Sequence, residues 1–226
     1  MSISIIIPVY NEIENIDGTY NNLTKSIDIL NIDDYEIIFI NDCSTDESLN
    51  KINDLKKKNV NIKILDNHIN MGLSKSIQKG IKFSKKKYIW WIPSDDNLIY
   101  SEIVKMLRDY SKFDFIYTKH LMKRSLFRRF VSDGFTILVN FIFGLSFPYY
   151  NSLFLIKKKN LEKISIRSES QFWMAELSIK LLSTSKNYET RTLKLNERKA
   201  GNSNIFSFVQ LYKTIIDLIK FRFNRL

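Results

Sequence analysis

The chain holds a single cysteine, Cys43, so no disulfide can form within it. That excludes a disulfide-stapled secreted scaffold and fits a reducing cytoplasm. Histidine is almost as scarce. His68 and His120 have no partners at metal-ligand spacing, and both are expected to be structural. Long apolar runs are missing too: the longest, residues 135–147, is too short to span a bilayer as a helix and contains Asn140. No basic leader or cleavage site precedes the strand-like stretch 3–9, so no signal peptide and a cytoplasmic location are expected. Under that expectation the sequon Asn22-Leu23-Thr24 is a chance match.

Acidic residues are the minority charge. Twenty-four Asp and Glu face 35 Lys and Arg, a net charge of +11. Such an excess points to an anionic partner: nucleic acid, an anionic membrane or a phosphorylated substrate. It reads equally as the Lys- and Asn-rich, Ala-poor usage of an AT-rich genome. No nucleic-acid-binding motif is found, and no nucleic-acid partner is expected. At 226 residues, 44% hydrophobic and 26% charged, the chain is long and apolar enough for a packed core. It shows neither repeat nor linker. We therefore expect one domain, residues 1–204, with a C-terminal amphipathic helical appendage at 205–226.

Short β-rich runs alternate with helical patterns along the first hundred residues. Strands are expected at 2–8, 35–41, 62–66 and 88–92, and helices at 12–30, 45–58 and 73–84. That alternation predicts an α/β fold with a mostly parallel sheet covered on both faces. Ligands bind such sheets beyond the C-terminal ends of the strands. The polar groups there are Tyr10-Asn11-Glu12, Asn41-Asp42 and Ser94-Asp95-Asp96-Asn97. After residue 112 the pattern changes to a strand at 113–118 and a basic stretch with Lys119, Lys123, Arg124, Arg128 and Arg129. An amphipathic run follows, with Phe127, Phe130, Leu138 and Phe141 on one side. A strand at 151–156, a helix at 171–182, a strand at 188–195 and a helical tail complete the chain. The tail's stripe includes Phe208, Tyr212, Ile215, Ile219 and Phe223.

Four motifs stand in order at these strand ends and helix starts. Ile5-Ile6-Ile7-Pro8-Val9-Tyr10-Asn11-Glu12 is a buried strand running into a polar loop. Ile40-Asn41-Asp42-Cys43-Ser44-Thr45-Asp46 ends the second strand, Asn70-Met71-Gly72 opens a helix, and Trp90-Trp91-Ile92-Pro93-Ser94-Asp95 closes the fourth strand. Together they resemble family 2 glycosyltransferases, whose patterns are Pro-x-Tyr-Asn-Glu, Asp-Asp-Gly-Ser-x-Asp, Asn-x-Gly and Asp-x-Asp. The resemblance implies a GT-A fold with a single Rossmann-like sheet and C-terminal amphipathic helices. It also implies an inverting, metal-dependent transfer from a nucleoside diphosphate sugar, a GDP- or UDP-sugar. It assigns Pro8, Tyr10, Glu12, Asp42 and Asp95 to the nucleotide sugar, and Asp95, Asp96 and Asn97 to the Mg²⁺ or Mn²⁺ ion.

The residue chemistry supports that assignment. Tyr10 offers a ring and Asp42 a carboxylate for base or ribose. Mg²⁺ and Mn²⁺ prefer oxygen ligands and usually take one or two carboxylates from protein, which suits Asp95. The ion would neutralise the departing diphosphate. Turn and helix capping is the other reading of Asp42, Asp46 and Asp95. Two positions depart from the pattern. Pro93 stands at the first Asp of Asp-x-Asp, and Cys43 at the Gly of the second motif.

The second half resembles the polyprenyl-phosphate sugar synthases, such as dolichyl-phosphate mannose synthase. The matching residues are Arg198, Gly201 and Ser203, with Glu176 in the helix upstream; Asn204 replaces a Lys, and Ser152 and Phe154 survive from a further stretch. That branch implies a lipid phosphate acceptor at the cytoplasmic face of the membrane, with Arg198, Glu176 and Ser203 at the catalytic centre. Arg198 suits a phosphate through its bidentate fork, helped by Arg124, Arg128 and Arg129; a solvated basic face is the alternative for that run. The amphipathic stretches fit a peripheral membrane helix, an internal seam or a dimer seam. A saccharide acceptor is the rival reaction, and it needs a general base, for which Glu176 and Glu169 are candidates. Pro93 keeps open a third reading, a non-catalytic nucleotide-sugar-binding domain.

Overall fold

The computed structural model describes residues 2–121, 126–197 and 208–223. The elements follow one another as β1 (Ser2–Val9), α1 (Ile16–Ile29), β2 (Asp34–Asn41), α2 (Ser48–Lys58), β3 (Ile62–Asp66), α3 (Leu73–Phe83), β4 (Tyr88–Trp91) and α4 (Tyr100–Leu107). Then come β5 (Phe115–Leu121), α5 (Leu126–Phe143), β6 (Leu155–Lys157), α6 (Lys158–Leu161), α7 (Trp173–Thr184), β7 (Tyr188–Lys194) and α8 (Phe208–Arg222). The seven strands form one sheet in the order β3-β2-β1-β4-β6-β5-β7. Pairing is parallel except at β6, which runs antiparallel to both β4 and β5.

The expected α/β architecture is present, and its cause is visible in β1. Ile3, Ile5, Ile6 and Ile7 are all fully buried, because helices cover both faces of the central strands. Each such side chain contributes about 1.5–3 kcal/mol relative to exposure. On one face Ile77 of α3 and Trp173 and Leu177 of α7 meet Ile6, Ile89 and Trp91. Helix α1 packs against α2 and α4.

Several elements differ from the sequence reading: the short helix α6 was not expected, and β5 starts and ends later than the 113–118 read from sequence. Helix α4 was not anticipated; its buried Ile103, Met106 and Leu107 make too short a stripe to stand out. Strand β6 has three residues instead of the six expected at 151–156, since Ser152, Leu153 and Phe154 are buried outside the ladder. Ser152 Oγ accepts the Thr118 N–H at 2.8 Å, and Thr118 Oγ1 in turn accepts the Leu153 N–H at 2.8 Å. His120 Nε2 lies 2.8 Å from Thr118 Oγ1.

Helix α8 is seated on the body of the molecule. Leu218 is buried, and the Phe221 ring stands 5.5 Å from Phe172 and 5.6 Å from Phe143 of α5. Among the described residues no helix is long and apolar enough to cross a membrane.

Candidate active site

The parallel register aligns Val9, Asn41 and Asp66 at the C-terminal ends of β1, β2 and β3. The loops that leave β1, β2 and β4 form one surface. Each turns through a residue in the left-handed region: Asn11 at φ 55°, Cys43 at 63° and Asp96 at 52°. Such backbone costs of order 1–3 kcal/mol per residue and persists only where its surroundings enforce it. Here they do. Asn11 Oδ1 accepts the Thr45 N–H at 2.8 Å, the Ser44 hydroxyl accepts the Asn11 N–H at 3.1 Å, and the Ser94 hydroxyl donates to the Pro8 carbonyl at 2.9 Å. This strain was legible only as Asn and Asp, the residue types that tolerate a left-handed turn, and as Cys43 at a glycine position.

Asp42 is buried and organises the second loop. Its carboxylate accepts from Asn67 Nδ2 at 2.9 Å, from the Met71 N–H at 2.9 Å and from the Gly72 N–H at 2.8 Å. Gly72, at φ 81°, then opens α3. Asp42 thus fixes where α3 begins, a task the capping alternative foresaw in kind. Asp46 caps in the same way, accepting the Ser48 and Ile13 N–H groups at 3.0 and 3.2 Å. Burial raises the Asp46 pKa, but the bonds from Ser48 and Ile13 outweigh it and hold the carboxyl below its ordinary 3.8.

Tyr10 stands 46% exposed at the rim, its ring open to a planar ligand. Pro8 is buried in β1 and reaches the site through its carbonyl. Glu12 is turned into the start of α1, where its carboxylate accepts from Asn15 Nδ2 at 2.7 Å.

The structure turns one of the three residues expected to hold metal away from the other two. Asp95 is half-buried on the loop after β4, and Asn97 Nδ2 donates to its Oδ2 at 3.1 Å. Asp96 faces the other way. Its backbone N–H reaches Thr19 Oγ1 at 3.1 Å, and its carboxylate accepts from Asn22 Nδ2 at 2.9 Å. A Cβ at Gly18 would lie 2.2 Å from Asp96 Oδ2, so glycine there makes room for this carboxylate. Asp96 therefore ties the loop to α1 instead of joining Asp95, because its positive φ reverses the side chain. Asn97 orients Asp95. Among the described residues no group of three or more His, Cys, Asp or Glu side chains forms a metal cage. One carboxylate beside a diphosphate does fit Mg²⁺ or Mn²⁺, which take few protein ligands and draw the rest from phosphate and water.

Glu176 is fully buried on the first turn of α7. Its oxygens accept the Arg167 N–H at 3.1 and 3.2 Å and the Ser168 N–H at 2.8 Å, and Lys180 pairs with it. A general base needs an open lone pair within reach of the proton it takes. Glu176 offers none of that; it anchors the loop before α7. Glu169, by contrast, is exposed on that loop and pairs with Lys75 of α3 at 2.9 Å. Arg198, Gly201 and Ser203, like Lys123 and Arg124, lie outside the described residues.

Comparison with known proteins accords with this geometry. The family model described as glycosyl transferase family 2 matches residues 4–164. A poly(ribitol-phosphate) beta-glucosyltransferase of Bacillus spizizenii is 37% identical over 113 residues, 50% of this chain and 17% of its own length. A dolichol-phosphate mannosyltransferase of Pyrococcus furiosus is 33% identical over 82 residues, 36% of this chain and 22% of its own. The chain thus spans under a quarter of each. Among solved structures, glucosyl-3-phosphoglycerate synthase of Mycobacterium tuberculosis, in complex with Mg²⁺ and UDP, superposes with a TM-score of 0.69. That match has 11% identity and covers 98% of this chain and 79% of the other, so the two share a GT-A fold. With the motifs at the aligned strand ends and a family match over most of its length, the chain belongs to glycosyltransferase family 2.

Proposed function

We propose that this chain transfers a sugar from a nucleoside diphosphate sugar to a lipid-borne phosphate at a membrane surface, with inversion. The observation that carries the acceptor is the pair of apolar faces on α5 and α8. Phe130 and Phe141 on α5 are 78% and 85% exposed, and Tyr212 and Phe223 on α8 are 66% and 68% exposed. Soluble proteins rarely expose such sets without a partner surface. Exposed Arg129, Lys213, Lys220 and Arg222 border them. Beside Phe221 opens a cleft of about 430 Å³ lined by Lys163, Arg167 and Lys180. Aromatic and aliphatic side chains rimmed by cations suit an anionic bilayer.

In this reading Tyr10 receives the base, Asp42 shapes the nucleoside wall and Asp95 holds the ion that neutralises the diphosphate. The acceptor brings its own anion, so the reaction rests on positioning and charge more than on proton removal. The commitment of Glu176 to the loop supports that. Arg198 is the residue proposed to clamp the acceptor phosphate.

The saccharide reading keeps a specific observation in its favour: Glu169 is exposed beside α3. Transfer rates with Mn²⁺, a panel of GDP- and UDP-sugars, and either polyprenyl phosphate or a polyol-phosphate oligomer separate the two. We expect transfer to polyprenyl phosphate, lost with Asp95→Ala. Arg198→Ala should cost about 2–4 kcal/mol of transition-state stabilisation, by analogy with removal of one preorganised donor. Transfer only to the oligomer, with Glu169→Gln the damaging variant, would install the saccharide reading.

A further inference from the structure

Helix α8 meets the loop before α7 through a carboxylate. Asp217 Oδ2 accepts the hydroxyls of Ser168 and Ser170, both at 2.6 Å. These are charge-assisted distances, and both serines are buried. Ser168 belongs to the loop anchored by Glu176, and its carbonyl accepts the Ser74 hydroxyl at 3.2 Å. Glu169, between the two serines, pairs with Lys75. Ser74 and Lys75 form the first turn of α3, the turn that Asp42 places through the Gly72 N–H. An unbroken run of contacts therefore leads from α8, through loop 167–170 and the start of α3, to the carboxylate at the end of β2.

We propose that Asp217 is a positioning residue: it holds loop 167–170 against the start of α3 and so fixes one wall of the donor site from α8. The proposal rests on the glycosyl-transfer reading for what the wall does, and on the hydrogen bonds alone for how it is held. The loop carries two buried hydroxyls that need acceptors, and one Asp217 oxygen serves both. Without it the serine hydroxyls are left to each other, 3.2 Å apart, and the loop loses its tie to α8, while Glu176, Ser74 and Lys75 still hold it. Asp217→Asn keeps an oxygen at that place and Asp217→Ala does not. Small misplacements remote from the chemistry can cost about 10²-fold in rate.

The test compares wild type, Asp217→Ala and Asp217→Asn by hydrogen exchange over residues 165–171 and 71–77, by donor and acceptor kinetics, and by thermal melting. In Asp217→Ala we expect faster exchange in both segments. At saturating substrates its kcat should fall about 10- to 100-fold, with a smaller change in the donor KM. Asp217→Asn should return both readouts most of the way. Unchanged exchange at 71–77 in Asp217→Ala overturns the proposal. So does a loss spread over every segment with a lowered melting temperature and no recovery in Asp217→Asn, which marks a purely structural residue. Should the wild-type chain transfer no sugar, the proposed function falls while the exchange comparison still decides whether Asp217 sets the start of α3.

Discussion

Replacing Asp42 with alanine removes one acceptor from each of three donors: Asn67 Nδ2, Met71 N–H and Gly72 N–H. Each hydrogen bond to a charged group is worth about 1.5–3 kcal/mol, so the upper bound is several times that. The environment lowers it. Met71 is 38% exposed, so water can take over its amide and that of its neighbour, whereas Asn67 is 4% exposed and stays dry. Asn67 Nδ2 keeps Ser76 Oγ at 3.1 Å and the Gly72 N–H keeps Asn70 Oδ1 at 3.2 Å, so one half-satisfied buried amide and two weakened loop contacts give a net loss of about 1–3 kcal/mol. The assay is urea unfolding, where the midpoint should fall at constant slope, together with calorimetric titration of UDP and GDP in Mn²⁺. Nucleotide affinity should fall with stability, because the start of α3 loosens. Asp42→Asn should cost roughly half as much, since its amide retains one acceptor. A loss below about 1 kcal/mol in Asp42→Ala would refute the view that this carboxylate builds the wall, leaving direct ligand contact as its role.

Cys43→Gly should stabilise the protein by up to about 1.5 kcal/mol: relief of a left-handed residue, about 1–2, less the extra entropy glycine gains when unfolded, about 0.5–1. A lowered urea midpoint would show that the strain is not relieved. Sedimentation with phosphatidylserine vesicles should capture the wild type at low salt and release it as the Debye length shrinks to about 10 Å near 0.1 M. Phe141→Ser with Phe223→Ser should cut the bound fraction at least about tenfold, since each phenylalanine contributes roughly 1.5–3 kcal/mol when buried; equal binding sinks the membrane face. In acid, Asp46 and Asp114 both titrate below their ordinary 3.8. For Asp46 burial opposes the shift and bonds from Ser48 and Ile13 prevail, and for Asp114 the Ser185 hydroxyl leads. Folded values below unfolded ones add stability that is complete above about pH 4 and disappears as pH falls through the folded pKa. Urea midpoints across that range should therefore drop, and Asp46→Asn should flatten the drop.

The first four strands could be read almost to the residue, because doubly covered strands show as unbroken apolar runs and loop polarity marks where they stop. Strand β3 begins at Ile62 and ends at Asp66 as expected. Helix α4 and the shortness of β6 were hidden, the one by its length and the other because buried residues outside a ladder look like strand. In the site, the ends of β1, β2 and β4 were legible from residue type. The roles of their carboxylates were not. Asp95 and Asp96 are chain neighbours of one chemistry, and only a backbone dihedral sends the second into α1. Glu176 lies on a helix pattern that says nothing about which amides face it. Asp217 drew no attention, since a single acidic residue in an apolar stripe announces no partner.

The reversed strand β6 has a consequence for how the chain is made. It pairs with β4 through Tyr88, Ile89 and Trp90 and with β5 through only Phe115 and Ile116. The sheet is two parallel ladders sewn together by three residues. On the ribosome, the ladder β3-β2-β1-β4 is complete once Trp91 emerges, but Leu155 follows about 64 residues later. At roughly 5–20 residues per second, β4 stays an open edge for some 3–13 s. That edge is Tyr88-Ile89-Trp90-Trp91, four large apolar residues with unpaired backbone groups. Unshielded apolar edges recruit other strands, so a nascent chain that forms this ladder first carries β4 as its exposed edge until β6 arrives to cover it.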